Sequence, residues 1–260
     1  MSPLFHGRTA AALALFPPLR RRPSLPDGNR RIYHYHIRKS GGTSLNAAFW
    51  NLAGVTRGDW GNSREIWKDG YVFVRHTNTR IEQGRYFHAS GHTAHHAIEI
   101  PRNTFTITIL RDPLKRLLSH YRYLVWLEGS DDALETEPFT EGLVREFQWL
   151  GSGFGDFLDR ISKSSLQRQL FFFSENYDIE EACANILNCS AVCFTDRLDR
   201  DIEVLSSRLD LTLESQRERV TPVEVDVSTK ELERARELLR PEFQLIEKVR
   251  SEVEDTVTPG

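Results

Sequence analysis

Apolar and polar positions alternate from Arg31 to Ile37. Tyr33, Tyr35 and Ile37 fall on one side of the chain and His34 and His36 on the other. A period of two predicts a strand. The run breaks at Arg38-Lys39-Ser40-Gly41-Gly42-Thr43-Ser44, and Leu45 to Trp50 then reads as the first turns of a helix. Tyr71 to Val74 and Tyr86 to Ser90 predict two further short strands. Thr104 to Leu110 (TFTITIL) is the clearest strand, an apolar β-branched run of the kind buried on both faces in a parallel sheet. Asp112 and Pro113 follow as paired helix-start signals. Leu114, Leu117, Leu118, Tyr121, Leu124 and Val125 then recur at helical spacing.

Beyond that helix, residues 142–150, 155–162, 164–173, 179–187 and 197–209 read as helices, with Val192 to Phe194 as a last strand between them. Lys230 to Arg250 reads as one long closing helix, and residues 51–70 and 128–140 read as loops. Alternating strands and helices predict one α/β domain, a mostly parallel sheet flanked by helices. We place that domain at residues 30–252, between a basic arm at 1–29 and a tail at 253–260.

The remaining composition narrows this picture. With 260 residues, 39% hydrophobic and 27% charged, the chain has a globular composition and the length for one full core. A net charge of -3 supplies no global basic field, which speaks against a nucleic-acid partner. Cys183, Cys189 and Cys193 show no paired metal-ligand spacing, so reduced thiols and a cytoplasmic location are expected. Ala10 to Phe16 is apolar but is cut by Pro17 and Pro18. It falls short of the roughly 20 residues that a membrane span needs. The alternative is a secretory or membrane-associated chain that uses this stretch, although no A-x-A cleavage pattern follows it.

Two clusters carry candidate chemistry. In the first, Gly41 and Gly42 allow a tight turn and close approach of an anion to backbone amides. The helix that follows would aim the positive end of its dipole at the same spot. Lys39 adds a full charge, and Thr43 and Ser44 add hydroxyls. The segment is not a Walker A loop, because its lysine precedes the glycines. An ordinary strand-to-helix turn with a surface lysine is the plainer alternative. In the second cluster, Arg111 ends the buried strand and Ser119 lies two turns into the next helix. Ligands of open parallel sheets bind at the carboxyl ends of the strands. Arg111 there would offer a planar fork to a phosphate. Alternatively, Arg111 pairs with a neighbouring carboxylate and Ser119 faces the core.

Together the two clusters resemble the sulfotransferases that use 3'-phosphoadenosine 5'-phosphosulfate, and in particular the carbohydrate branch related to heparan sulfate 2-O-sulfotransferases. The likeness runs over residues 31–50 and 86–127, and Leu166 to Leu170 and Phe194 to Leu198 resemble later landmarks. The resemblance implies a P-loop-like sheet and a sugar or polysaccharide hydroxyl as acceptor. It also implies that Arg38, Lys39, Ser40, Gly41, Gly42, Thr43 and Ser44 hold the 5'-phosphosulfate, and that Arg111 and Ser119 hold the 3'-phosphate. His92 is then the general base, Lys39 supports the leaving group, and no metal is needed.

This sequence departs from the family pattern in three places. Arg38 replaces a proline, Ser40 replaces a threonine, and Ser90-Gly91-His92 keeps only the second histidine of a His-Gly-His motif. His88 could face the same side of its strand as His92. His95 and His96 are expected along the acceptor cleft or exposed, and His34, His36 and Phe171 to Phe173 are expected as packing residues. The histidines near 88–96 also raise a zinc alternative, for which only Glu99 could complete a ligand set. Two rival functions stand beside the sulfotransferase: a P-loop phosphotransferase, and a binding domain without turnover. The first lacks a buried-strand acidic residue other than Asp112, which capping explains. The second is disfavoured by the retention of Lys39 and His92. Arg217 and Arg219 are a fallback site for the 3'-phosphate.

Overall fold

The computed structural model describes residues 25–129, 141–215 and 223–255. Arg217 and Arg219 therefore lie outside the described residues. Six strands form one sheet: β1 (Arg31–Tyr35), β2 (Glu65–Lys68), β3 (Tyr71–Arg75), β4 (His88–Gly91), β5 (Thr104–Leu110) and β6 (Ala191–Phe194). Their spatial order is β2-β3-β4-β1-β5-β6. All neighbours run parallel except β2 and β3. The central β1 pairs with β4 through Tyr33↔Ala89 and with β5 through Tyr33↔Thr106.

The alternation in β1 divides the core in two. Ile32 faces the side that also holds Phe105, Ile107 and Ile109 of β5, packed against Leu45, Ala48 and Phe49 of helix α1 (Gly42–Asn51). Tyr33 and Tyr35 face the other side, with Phe172, Phe173, Ile186 and Leu245. Helices on both faces explain why β5 carries only apolar residues and threonine. A third cluster joins helix α2 (Pro113–Glu128) to the segments around Phe154, Phe157 and Leu239. As expected, Asp112 caps α2 by accepting from Lys115 N at 2.7 Å, with Pro113 in the first turn.

Several expectations need correction. The expected loop at 51–70 contains β2, an antiparallel edge strand, and a 3-10 turn at Gly58–Trp60. With only Ile66 and Trp67 apolar, β2 is too short to show a period, as edge strands often are. The helix expected at 164–173 is two helices, Lys163–Leu166 and Arg168–Phe173, broken at Gln167. The closing helix is also two, Thr229–Leu238 and Arg240–Asp255. Pro241 explains that break, because it suits a first helical turn and not an interior. The last helix runs past residue 253, where the tail was expected. At the other end, Leu25 of the expected arm is buried in the core.

Gly42 opens α1 where the helix comes closest to β1 and its extension. A Cβ there would stand 2.2 Å from His36 Cδ2 and 2.6 Å from His34 Cε1. Both rings are buried, so neither can swing away freely. Gly42→Ala is expected to lower stability by about 1–3 kcal/mol, the usual penalty of overpacking. It should appear as a lower urea midpoint at unchanged slope. Gly153→Ala, with nothing within 4 Å of the added methyl, is the control and should show no overpacking penalty, only the cost of about 0.5–1 kcal/mol of a weaker N-cap.

Candidate active site

Parallel pairing brings the ends of β1, β3, β4 and β5 to one edge of the sheet. The residues just past those ends (Arg38 and Lys39, His76, His92, and Arg111) line one cleft of about 640 Å³. Gly41, Gly42, Thr43, Ser44, Ser119 and Tyr123 also line it. The structure thus brings together all but one of the residues singled out for donor binding. The exception is Ser40, which is fully buried and not on the cleft wall. Its contribution is its carbonyl, which accepts from Thr195 Oγ1 at 2.8 Å.

The loop after β1 is built for close approach. Lys39 and Gly41 both take left-handed backbone, with φ of 67° and 86°. The N-cap is Gly41, which has no side chain to cap α1, and a helix start of this kind suits an anion. Lys39 Nζ lies 4.1 Å from the centre of the Tyr123 ring, a cation–π contact. Arg38 does not project into the cleft unengaged. It forms an ion pair with Glu146, whose other oxygen meets His120 Nε2 at 2.9 Å. Burial alone would raise the Glu146 carboxyl, but the His120 hydrogen bond and the Arg38 charge outweigh it and hold it at about 2. Burial lowers His120 to about 4, so at neutral pH a neutral imidazole donates to an ionised carboxylate.

Arg111 is fixed from two directions. Its Nη1 donates to the Lys39 carbonyl at 2.8 Å, which ties the second cluster to the first. Gln169 Oε1 accepts from Arg111 N at 2.8 Å, and Gln169 Nε2 donates to Arg111 O at 2.9 Å. Gln169 is held in turn by Glu242, which accepts from the amides of Gln169 and Leu170 and lies 3.8 Å from Arg116. Glu242 therefore starts the helix Arg168–Phe173 from a position far along the chain, which is why Gln167 breaks the longer helix that was expected. Among the described residues no carboxylate ion-pairs with Arg111. The alternative of a neighbouring ion pair is not what the structure holds.

His92 has a defined tautomer. Its Nδ1 lies 2.6 Å from the His36 carbonyl oxygen, which can only accept. The hydrogen therefore sits on Nδ1, and Nε2 carries the lone pair. Burial, followed by the His76 ring and the nearby Arg38 and Arg168 charges, lowers its pKa well below the ordinary histidine value. The rings of His34 and His36 stack at 4.9 Å, those of His36 and His92 meet at 4.5 Å, and those of His76 and His92 stack at 4.5 Å. Asn46 Oδ1 accepts from His34 Nδ1 at 2.8 Å. His34 and His36 are packed as expected, and His36 also reaches the cleft.

The other histidines lie elsewhere. His88 is fully buried and stacks on Phe49 at 4.4 Å, below the cleft rather than in it. His95 lies against Tyr35 and Phe173, and His96 is edge-on to Phe171. Both belong to the opposite face of the sheet, so neither lines the cleft, and of the two expected alternatives His96 takes the exposed one. His76 was missed by sequence reasoning. Its one signal was its place directly after a strand of the parallel set. Among the described residues no three His, Cys, Asp or Glu side chains converge as metal ligands would.

A lysine–glycine loop ahead of a helix, with an arginine fixed on the neighbouring strand, is an arrangement suited to binding anionic groups. The sulfotransferase family model matches residues 25–245, and the chain belongs to that family. No curated protein matches it. Among the described residues, no helix is long and apolar enough to cross a membrane.

The buried histidines give the fold an acid limit. His34 and His120 are lowered to about 4, and His36 and His88 well below the ordinary value, in each case first by burial. Unfolded, each titrates near 6.5. Below that pH the unfolded chain binds protons that the folded one refuses. Stability is therefore full above about pH 6.5 and falls as pH drops toward about 4. Four such groups remove roughly 5 kcal/mol per pH unit at the steepest. Urea unfolding between pH 8 and 5 should report an uptake of about four to six protons on unfolding below pH 6, because His92 and His76 are lowered as well. An uptake below about one proton would refute the buried neutral assignment.

Proposed function

We propose that this sulfotransferase moves the sulfuryl group of 3'-phosphoadenosine 5'-phosphosulfate to a carbohydrate hydroxyl, with His92 as general base. The donor carries an anionic group at each end, and the cleft has a cationic site to suit each. Lys39 and the first amides of α1 face the 5' end, and Arg111 with Ser119 faces the 3'-phosphate. Among the described residues no carboxylate lines the cleft. When bound, the donor supplies an electrophilic sulfur and a bisphosphate leaving group. His92 Nε2 takes the proton of the acceptor hydroxyl as its oxygen forms the new bond to sulfur. The bond from sulfur to the phosphate oxygen breaks on the opposite side. Lys39 and the loop amides then hold the charge that develops on that oxygen.

The single observation that carries this reading is the hydrogen bond from His92 Nδ1 to the His36 carbonyl. It leaves the lone pair of a neutral ring on the other nitrogen, which is the state a base requires. The carbohydrate acceptor rests on the resemblance of the two motifs to the carbohydrate branch. A cytoplasmic setting rests on the three free thiols. Among the described residues the phosphotransferase reading finds no acidic side chain in the cleft to hold Mg²⁺.

Transfer of labelled sulfate from the donor to a panel of polysaccharides, lipids and small alcohols is the direct test. Label should enter a polysaccharide. His92→Ala should cut the rate by about 10²–10⁴-fold and leave the affinity for adenosine 3',5'-bisphosphate nearly unchanged. Because the His92 pKa is lowered, wild-type kcat/KM should stay flat from pH 8 through 6, where an ordinary histidine base would already be failing. Near-normal turnover in His92→Ala would remove the assignment. The bisphosphate should also raise Tm more than Mg-ATP does, by mass action on the native state; the opposite order would favour phosphoryl transfer.

A further inference from the structure

We propose that His76 is a second working residue of the cleft. It engages the acceptor through a hydroxyl next to the reacting one and so sets the side from which that hydroxyl reaches His92. This rests on the reading of His92 as the base.

Three observations support it. The first is placement. β3 pairs with β4 on the side of the sheet away from β5, so His76 and Arg111 stand on opposite sides of His92. The donor groups follow β1 and β5, which leaves the β3 side to the acceptor. The second is the ring geometry. His76 stacks on His92 at 4.5 Å and 25°, so it shields one face of the base and stays open to the cleft, where it is exposed.

The third observation is that the backbone is held so as to present this side chain. His76 has a φ of 52° and its amide donates to Ser90 O at 2.9 Å. A left-handed residue here turns the chain out of β3 while keeping one more bond to β4. The preceding Arg75 donates to Ser63 O and Gly61 O and lies over Trp60. It thereby pins the outer wall that carries Arg57 and Arg64. The charged groups around the His76 ring are Arg75, Arg64 and Arg38, and they add to desolvation in lowering its pKa. A neutral imidazole has one donor and one acceptor nitrogen, which is what a hydroxyl beside the reacting one calls for.

Two variants test the assignment, using whichever acceptor the labelled panel identifies. His76→Gly suits the left-handed backbone, and His76→Asn tolerates it while keeping a shorter polar side chain. In both, kcat/KM for the acceptor should fall about 10–100-fold, the worth of one or two hydrogen bonds. The Kd for adenosine 3',5'-bisphosphate should stay within about twofold of wild type. Free imidazole should restore part of the lost rate in His76→Gly. Normal acceptor kcat/KM in His76→Asn would overturn the proposal, as would a parallel loss of bisphosphate affinity in both variants. Failure of the base reading is separable: it appears as unimpaired turnover in His92→Ala, whatever the His76 variants do.

Discussion

The parallel pairing of β1 with β4 on one side and β5 on the other is the constraint on which the rest depends. Parallel strands all end at the same edge. The residues that follow them therefore meet, although they are scattered between Arg38 and Arg111 along the chain. Two short polar contacts then convert proximity into geometry. Arg111 donates to the Lys39 carbonyl, which locks the glycine loop after β1 to the end of β5. His92 donates to the His36 carbonyl, which locks the imidazole to the end of the same central strand. The proposed donor site and the proposed base are thus referenced to one strand, through carbonyls three residues apart.

The same arrangement shapes the energetics. Packing imidazoles from β1 against α1 requires glycine at position 42, because a side chain there would collide with His36. Keeping these rings buried requires that they stay neutral, since charging them in that environment would be opposed by desolvation and by Arg38. Neutral histidine is also the form in which a base works. Stability toward acid is given up by the same burial that keeps the column uncharged. Farther out, Glu242 and Arg116 form a buried pair whose function is geometric. Together with Gln169 they fix Arg111 from the last helix of the described fold.

Much of this was legible in the sequence, for local reasons. β1, its glycine loop and the start of α1 are contiguous, and their periods are intact. β5, the Asp112 cap and Pro113 are equally local. What escaped depends on distant partners. The four-residue β2 is defined by its pairing with β3 rather than by a pattern of its own. The break at Gln167 arises because Glu242 caps the next helix from 73 positions away. His76 could not be placed without the strand order, and proximity in sequence misled for His95 and His96, which turn over the opposite face. Ser40 has the hydroxyl that the motif calls for, yet the loop geometry buries it and presents its carbonyl to Thr195.

The central claim is that one cleft holds both ends of the donor, with Arg111 on the 3'-phosphate. Calorimetric titration of wild type and Arg111→Lys with adenosine 3',5'-bisphosphate and with adenosine 5'-monophosphate tests it most directly. Wild type should prefer the bisphosphate by about 2 kcal/mol or more, because a charged fork meets the extra phosphate. Arg111→Lys should lose much of that preference, because an ammonium cannot form the planar pair of bonds, while its affinity for the monophosphate stays close to wild type. An unchanged preference in Arg111→Lys would contradict the account and move the 3'-phosphate site elsewhere.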